Sequence, residues 1–446
     1  MLLQFFFRFS SIILSNINMT SGKEEKRLMK YADLHPNIRI RIITDFFTDL
    51  TQKSIIPFMA IYLSIQIGAG LAGLLLTVNI VASMIVGLWA GYWSDRIGRK
   101  KLMVIAQSLQ VVALLGLAIA NSPWMDSIIV TCLMFLLSSL SSGITVPIAN
   151  AMIVDVSSEH ERHYVYGLQY WTTNVAVTFG ALMGGLFFES FRFLLFSLVC
   201  LESLATLFIS IFIIRETMDK RKRALGCDDA PIQRNILKTY WAVFQDKRFM
   251  IFFTATVLAV SLEFQLDKYI AVRLKNEFTA QLFGSDISGL HMFSLIMVIN
   301  TVMVALVAFP FSRWIGRFQS RSIMTVGMLL YTAGFTVLAF SNWAWLLISS
   351  AILLTVGELM YAPVRQVMLA GMIPDSDRAA YMAADGLSYN AAALLGSLGL
   401  TIGAFLPSYA MAGLYILMGL GALIFFRMLL RKAEEQNQHL PCADAS

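Results

Sequence analysis

Several carboxylates in this chain sit inside long apolar runs, and these are the side chains with chemistry to offer. Glu358 lies in Gly357-Glu358-Leu359-Met360-Tyr361-Ala362-Pro363. Glu263 and Asp267 are four residues apart, which puts both on one face of a helix. Arg41, Asp45, Asp49 and Lys53 form a ladder in four-residue steps on another segment. A charge near the centre of a bilayer costs about 2.5–3.5 kcal/mol on insertion scales, so ionisable groups there are functional candidates. The chemistry open to them is reversible protonation. Two carboxylates spaced like Glu263 and Asp267 can share a proton. A structural role stands beside each functional one. Arg365, on the same face as Glu358, could lock it, Lys268 and Arg273 could neutralise Asp267, and the ladder could neutralise itself. Glu202 and Asp385 are two further carboxylates in apolar runs.

These residues are positioned by twelve long apolar stretches between residues 42 and 430. Hydrophobic residues make up 57% of the chain and charged residues 14%, too apolar for a soluble surface. About 20 apolar residues cross a bilayer as a helix, which satisfies its own backbone in lipid. The alternating segments of a membrane barrel are absent. The expected fold is an all-α polytopic membrane protein, with twelve transmembrane helices in two six-helix bundles over 38–214 and 249–430. Residues 215–248 form a polar linker with Lys220-Arg221-Lys222-Arg223, and Asn235 to Phe244 have the spacing of an amphipathic interfacial helix. Residues 1–37 and 431–446 are terminal segments, the first with a signal-like run and alternative starts at Met19 and Met29.

The net charge of +6 could suggest nucleic acid, but its distribution does not. Basic residues gather on one side of the predicted spans, at Arg39, Arg41, Arg96, Arg99 to Lys101, Arg215 and the linker. The opposite loops hold only Arg192, Arg273 and Lys275. The positive-inside rule therefore predicts a multi-pass protein of the cell (inner or plasma) membrane with both termini and the linker cytoplasmic. Cys132, Cys200, Cys227 and Cys442 lie far apart without metal-ligand spacing. No nucleotide-binding signature or nucleophile constellation is present, which argues against ATP-driven transport and against a membrane enzyme. No metal or cofactor is expected.

One polar segment between the second and third stretches carries a pattern: Gly91-Tyr92-Trp93-Ser94-Asp95-Arg96-Ile97-Gly98-Arg99-Lys100-Lys101. Gly91 and Gly98 permit close helix approach and a tight turn. Asp95 can complement a helix N-terminus, and Arg99 can pair with Asp155 at the end of the fourth stretch. The segment resembles the loop 2–3 signature of the major facilitator superfamily. The resemblance extends over most of residues 38–430. A degenerate second copy stands at Phe311-Ser312-Arg313-Trp314-Ile315-Gly316-Arg317. The resemblance implies two bundles rocking about a central site, and a gate built from Gly91, Asp95, Arg96, Gly98, Arg99 and Asp155.

A narrower resemblance, to LmrP-type multidrug proton antiporters, rests on Asn150 to Asp155, Glu161-Arg162, Tyr170-Trp171, Asn174 and the Glu358 segment. It implies that Glu358 binds protons and cations. Where that group carries an aspartate this chain has Gln169, which cannot titrate. Gly180, Gly184 and Gly185 resemble the antiporter motif of drug exporters without its proline, and small residues at such spacing also let helices pack closely. Ser138 and Ser139 stand where many drug antiporters have an arginine. The implied activity is proton-coupled export of amphiphilic, cationic compounds by a monomer, with Glu358, Glu263, Asp267, Asp45, Asp49, Lys53 and Gln169 at the site. A facilitator or symporter for sugars, peptides or lipid-linked glycans is the alternative, and a receptor or scaffold on the same fold a second one.

Overall fold

The computed structural model describes residues 31, 34–157, 159–217, 243–282, 285–315, 318–373 and 378–438. Among them are twelve long helices: α1 (Pro36–Ile67), α2 (Ala69–Ile97), α3 (Arg99–Ala120), α4 (Ile128–Val156), α5 (Glu159–Phe187), α6 (Arg192–Phe212), α7 (Lys247–Glu277), α8 (Gly289–Ile315), α9 (Ser320–Phe340), α10 (Ala344–Met372), α11 (Arg378–Gly403) and α12 (Ser408–Gln438). A π-helical turn at Leu266–Ile270 interrupts α7. Short antiparallel pairs join α3 to α4 (β1, Asn121–Ser122, with β2, Met125–Asp126) and α7 to α8 (β3, Thr279–Leu282, with β4, Ser285–Ser288). The helix expected over Asn235 to Phe244 falls almost wholly outside the described residues, as do Cys227 and Gly316-Arg317.

Local chemistry sets the helix ends. Pro36 opens α1 at a position whose N–H has no intrahelical partner, and the His35 ring accepts from Asn37 N at 3.2 Å. Gly68 (φ +82°) and Gly98 (φ +106°) reverse the chain between α1 and α2 and between α2 and α3, in a backbone region that side chains avoid. The tight turn expected at Gly98 is therefore present. Gly91 differs from expectation. A Cβ placed there would meet nothing within 4 Å, so no neighbour demands glycine at that point. Asp246 caps α7, its carboxylate accepting from Arg248 N and Phe249 N.

Each half repeats one packing plan. In the first, α1 packs on α5, α2 on α4, and α3 on both α4 and α6. In the second, α7 packs on α11, α8 on α10, and α9 on both α10 and α12. The halves meet through α2 against α11 and α5 against α8, the pairs this repeat makes equivalent. Lipid offers no hydrophobic drive for helices to associate, so close packing must supply it. Gly334 lets α9 approach Leu354 and Ser350 of α10, and Gly357 lets α10 approach Tyr331. Apolar residues left facing outwards, such as Leu88, Ile129 and Leu417, suit a hydrocarbon surround, with Trp124, Trp343 and Tyr409 near helix ends.

Nine helices among the described residues are long and apolar enough to cross a membrane by length and composition. The other three, α1, α5 and α11, have 32, 29 and 26 residues. Length does not set them apart. They carry more polar and charged side chains within their spans, among them Asp45, Asp49 and Lys53 on α1, Gln169 on α5 and Asp385 on α11.

Candidate functional site

Polar groups collect on the inner faces of both halves. In the second half, Glu358 of α10 accepts a hydrogen bond from Asn300 Nδ2 of α8 at 2.8 Å. The same amide reaches Thr355 Oγ1, one turn away on α10, at 3.2 Å. Glu358 is half-buried. Glu263 of α7 is exposed, although Glu358, Lys53, Asp267 and Arg365 all lie within its electrostatic reach. Exposure combined with surrounding protein charge means that Glu263 faces an internal, water-accessible space. Glu263 and Glu358 thus approach each other from two helices, a meeting that spacing along the chain could not disclose.

Arg365 does not lock Glu358. Its guanidinium donates to Asp385 Oδ1 of α11 at 2.9 Å and to the Tyr389 hydroxyl at 3.0 Å. Arg365 and Asp385 are both buried, and the ion pair is compensated where it stands. Of the two roles open to Asp267, the structure shows the pairing with Lys268. The two groups are 2.9 Å apart within the π turn, and Lys268 is itself buried. Glu263 therefore has Glu358, rather than Asp267, as its available acidic partner.

In the first half, the helix 1 ladder is split between partners. Arg41 pairs with Asp45 at 3.1 Å, and Gln169 Nε2 of α5 donates to Asp45 Oδ2 at 3.2 Å. Thr173, one turn beyond Gln169, donates to Asp49 Oδ2 at 2.7 Å. Lys53 lies within electrostatic reach of both Asp49 and Glu263, linking the halves. Gln169 takes the place of a titratable group but still contributes, as a donor to Asp45.

The glycines of α5 divide their work. A Cβ on Gly180 would lie 2.7 Å from Leu50 O, and one on Gly184 would strike the Phe58 ring, so both let α5 lie against α1. A Cβ on Gly185 would strike Ser294 of α8, so this glycine seats the two halves together. Gly73 of α2 has the equivalent place. Its added Cβ would be 2.7 Å from Thr401 N and 2.8 Å from Ser397 O of α11. Nearby, Thr401 Oγ1 donates to Gly70 O at 3.2 Å, Phe58 and Phe293 meet edge to face at 5.5 Å, and Lys275 pairs with Glu189. All lie at the end of the bundle where α1 gives way to α2. Thr178 and Thr301 join the halves deeper in, at 2.8 Å.

At the opposite end, Arg99 Nε and Asp155 Oδ2 are 3.0 Å apart, as the sequence predicts. Thr217 Oγ1 also donates to Asp155, at 2.9 Å. Glu216 accepts from the first backbone N–H groups of α3, Arg99 at 3.2 Å and Lys100 at 3.1 Å. Reasoning from the loop alone missed Glu216 and Thr217. These contacts all join the first half to itself or to the start of the linker. The side chains of Asp95, Arg313 and Tyr170 lie outside the described set. Ser138 of α4 shares a hydrogen bond with Gln110 of α3.

Two six-helix halves, seamed at one end and lined inside with ionisable groups, define a multi-pass membrane transporter. The sequence profile of the Major Facilitator Superfamily matches residues 42–284 and 248–441, and the chain belongs to that superfamily. It is 30% identical over 374 residues to a Na(+), Li(+), K(+)/H(+) antiporter of Planococcus maritimus, covering 81% of this chain and 88% of that one. It is 23% identical over 388 residues to the multidrug resistance protein MdtH of Edwardsiella ictaluri (strain 93-146), covering 86% and 87%. Among solved structures, a peptide transporter POT in complex with sulfate matches with a TM-score of 0.67 at 15% identity, covering 90% of this chain and 95% of that one. The last likeness concerns the fold.

Proposed function

We propose that this protein is a proton-coupled antiporter that expels cations by alternating access. The observation that carries the reading is the Glu263–Glu358 pair. One carboxylate faces the cavity, and the other is held by a neutral amide while the nearby arginine is committed to Asp385. Such a pair can take up a proton or a cation without first breaking an internal ion pair. Protonation lowers the cost of moving the empty site through the membrane, and release of the proton restores affinity for the cation. Lys53, within electrostatic reach of Glu263, opposes the entry of further positive charge.

The basic end of the bundle is the cytoplasmic end in this reading. The seam at Gly73 and Gly185 is then extracellular, and the structure is inward-facing. Small inorganic cations are the first substrate class, supported by the antiporter from Planococcus maritimus. Amphiphilic organic cations are the second, supported by MdtH.

Proteoliposomes with an acidic lumen and a trapped pH dye test the proposal. Addition of NaCl, LiCl, KCl or ethidium should dissipate the gradient only when the protein is present. The responding salts separate the inorganic class from the amphiphilic one. A gradient unaffected by every cation would overturn antiport.

A further inference from the structure

Glu202 stands apart from the site just described. It lies midway along α6, half-buried, on the seam with α1. Three hydroxyls surround its carboxylate. Thr206 Oγ1 is 2.8 Å and Thr48 Oγ1 3.1 Å from Oε1, and Thr51 Oγ1 is 3.3 Å from Oε2. No basic side chain among the described residues makes an ion pair with it. The ladder charges Asp45 and Asp49 turn towards Gln169 and Thr173 of α5, whereas Thr48 and Thr51 turn towards α6. Among the described side chains, the other charges on the packed elements are Arg39, Arg41 and Lys53 on α1, Arg192 on α6, Glu161 on α5, and Arg99, Lys100 and Lys101 at one end of α3.

Proton counting shows what the cluster lacks. A threonine hydroxyl has one proton to give. Thr51 Oγ1 lies 2.9 Å from Phe47 O, 3.0 Å from Thr48 O and 3.3 Å from Glu202 Oε2, so three acceptors compete for one proton. When Thr51 donates to its own helix, its lone pairs face Oε2, and the two oxygens repel. A proton on the carboxyl or a small cation between the oxygens removes that conflict. A carboxylate, three hydroxyls and nearby carbonyls form an all-oxygen set, the chemistry that suits hard cations.

We propose that Glu202, Thr48, Thr51 and Thr206 form a second cation site, which exchanges one proton of the Glu202 carboxyl for one dehydrated Na+ or Li+. On binding, the carboxyl O–H bond breaks, the proton leaves to water, and the carboxylate and hydroxyl oxygens take the metal ion. The exchange is electrically neutral, which suits a position with no basic partner. This site is separate from the Glu263–Glu358 pair and does not depend on that pair carrying transport.

The test uses the purified full chain in detergent, weakly buffered, with a pH indicator. In protein carrying Glu263→Gln and Glu358→Gln, NaCl or LiCl should still release protons, and choline chloride should not. Adding Glu202→Gln should end the release. In the otherwise unaltered chain, Thr51→Val should raise the Na+ concentration giving half of the Glu202-dependent release by about tenfold, and Thr51→Ser should restore it. Unchanged release after Glu202→Gln would overturn the site, as would equal release by choline. Failure of antiport in vesicles would overturn the proposed function and leave this readout intact.

Discussion

Arg365 and Glu358 occupy one face of α10, yet the guanidinium turns away to Asp385 of α11 at 2.9 Å and leaves the glutamate to the amide of Asn300. This division separates a structural charge pair from the carboxylate proposed to exchange the proton, and each side has its own consequence.

The carboxylate side predicts coupling. Glu358→Gln keeps the shape and can still hydrogen-bond Asn300, but it cannot exchange a proton. Flux driven by a pH gradient in proteoliposomes should be lost while equilibrium substrate binding remains. Glu263→Gln should give a milder loss. Parental flux in Glu358→Gln at every pH tested would move the proton site to Asp45 and Asp49.

The structural side predicts stability. Breaking a buried pair by removing one partner typically costs about 3–5 kcal/mol, because the other charge is left unpaired. Arg365→Ala and Asp385→Ala should therefore each lower the unfolding temperature of purified protein sharply. Arg365→Met combined with Asp385→Leu should recover much of the loss. Additive losses in the double variant would contradict the pairing.

Growth of a side chain at the seam should hold the halves apart. Gly73→Leu and Gly185→Leu each place atoms where Thr401 or Ser294 now stands. Spin labels at the exposed positions Ile65 and Tyr409 should report longer distances in both variants than in the parent. An unchanged distance distribution would show that the seam accommodates the added bulk.

The Arg99–Asp155 contact joins α3 to the end of α4, inside one half. An ion pair this close to the surface contributes about 1 kcal/mol or less. Asp155→Asn should thus slow transport several-fold with little change in unfolding temperature. A large drop in stability at unaltered turnover would make the pair a fold element instead of part of the moving machinery.

The helices were legible in the sequence because their cause is local. A run of apolar residues needs a helix in lipid, and charges at four-residue steps must share a face. The Gly98 turn and the Arg99–Asp155 pair were legible through the spacing of one loop. Partners across helices were not. Asn300 is a single amide in a long apolar run, and nothing near it in sequence points to Glu358, 58 residues away. Its polarity inside a span was the available signal. The pairing of Arg365 with Asp385 was hidden by a nearer candidate on the same helix. For Asp267 the sequence left two roles open, a proton shared with Glu263 or neutralisation by Lys268 or Arg273, and the contact with Lys268 could not be chosen from a wheel drawn at constant pitch, which takes no account of the π turn.

That π turn bears on how α7 can change over generations. A π bulge is a helix with one residue to spare, and it preserves the phase of both flanks. Arg273 donates to Asn342 Oδ1 at 2.7 Å, and deleting one residue within Leu266–Ile270 would leave both Glu263 facing the cavity and Arg273 in reach of that partner. A deletion elsewhere in α7 would swing one flank round by about 100°. Length variants of this span should therefore survive chiefly at those five positions.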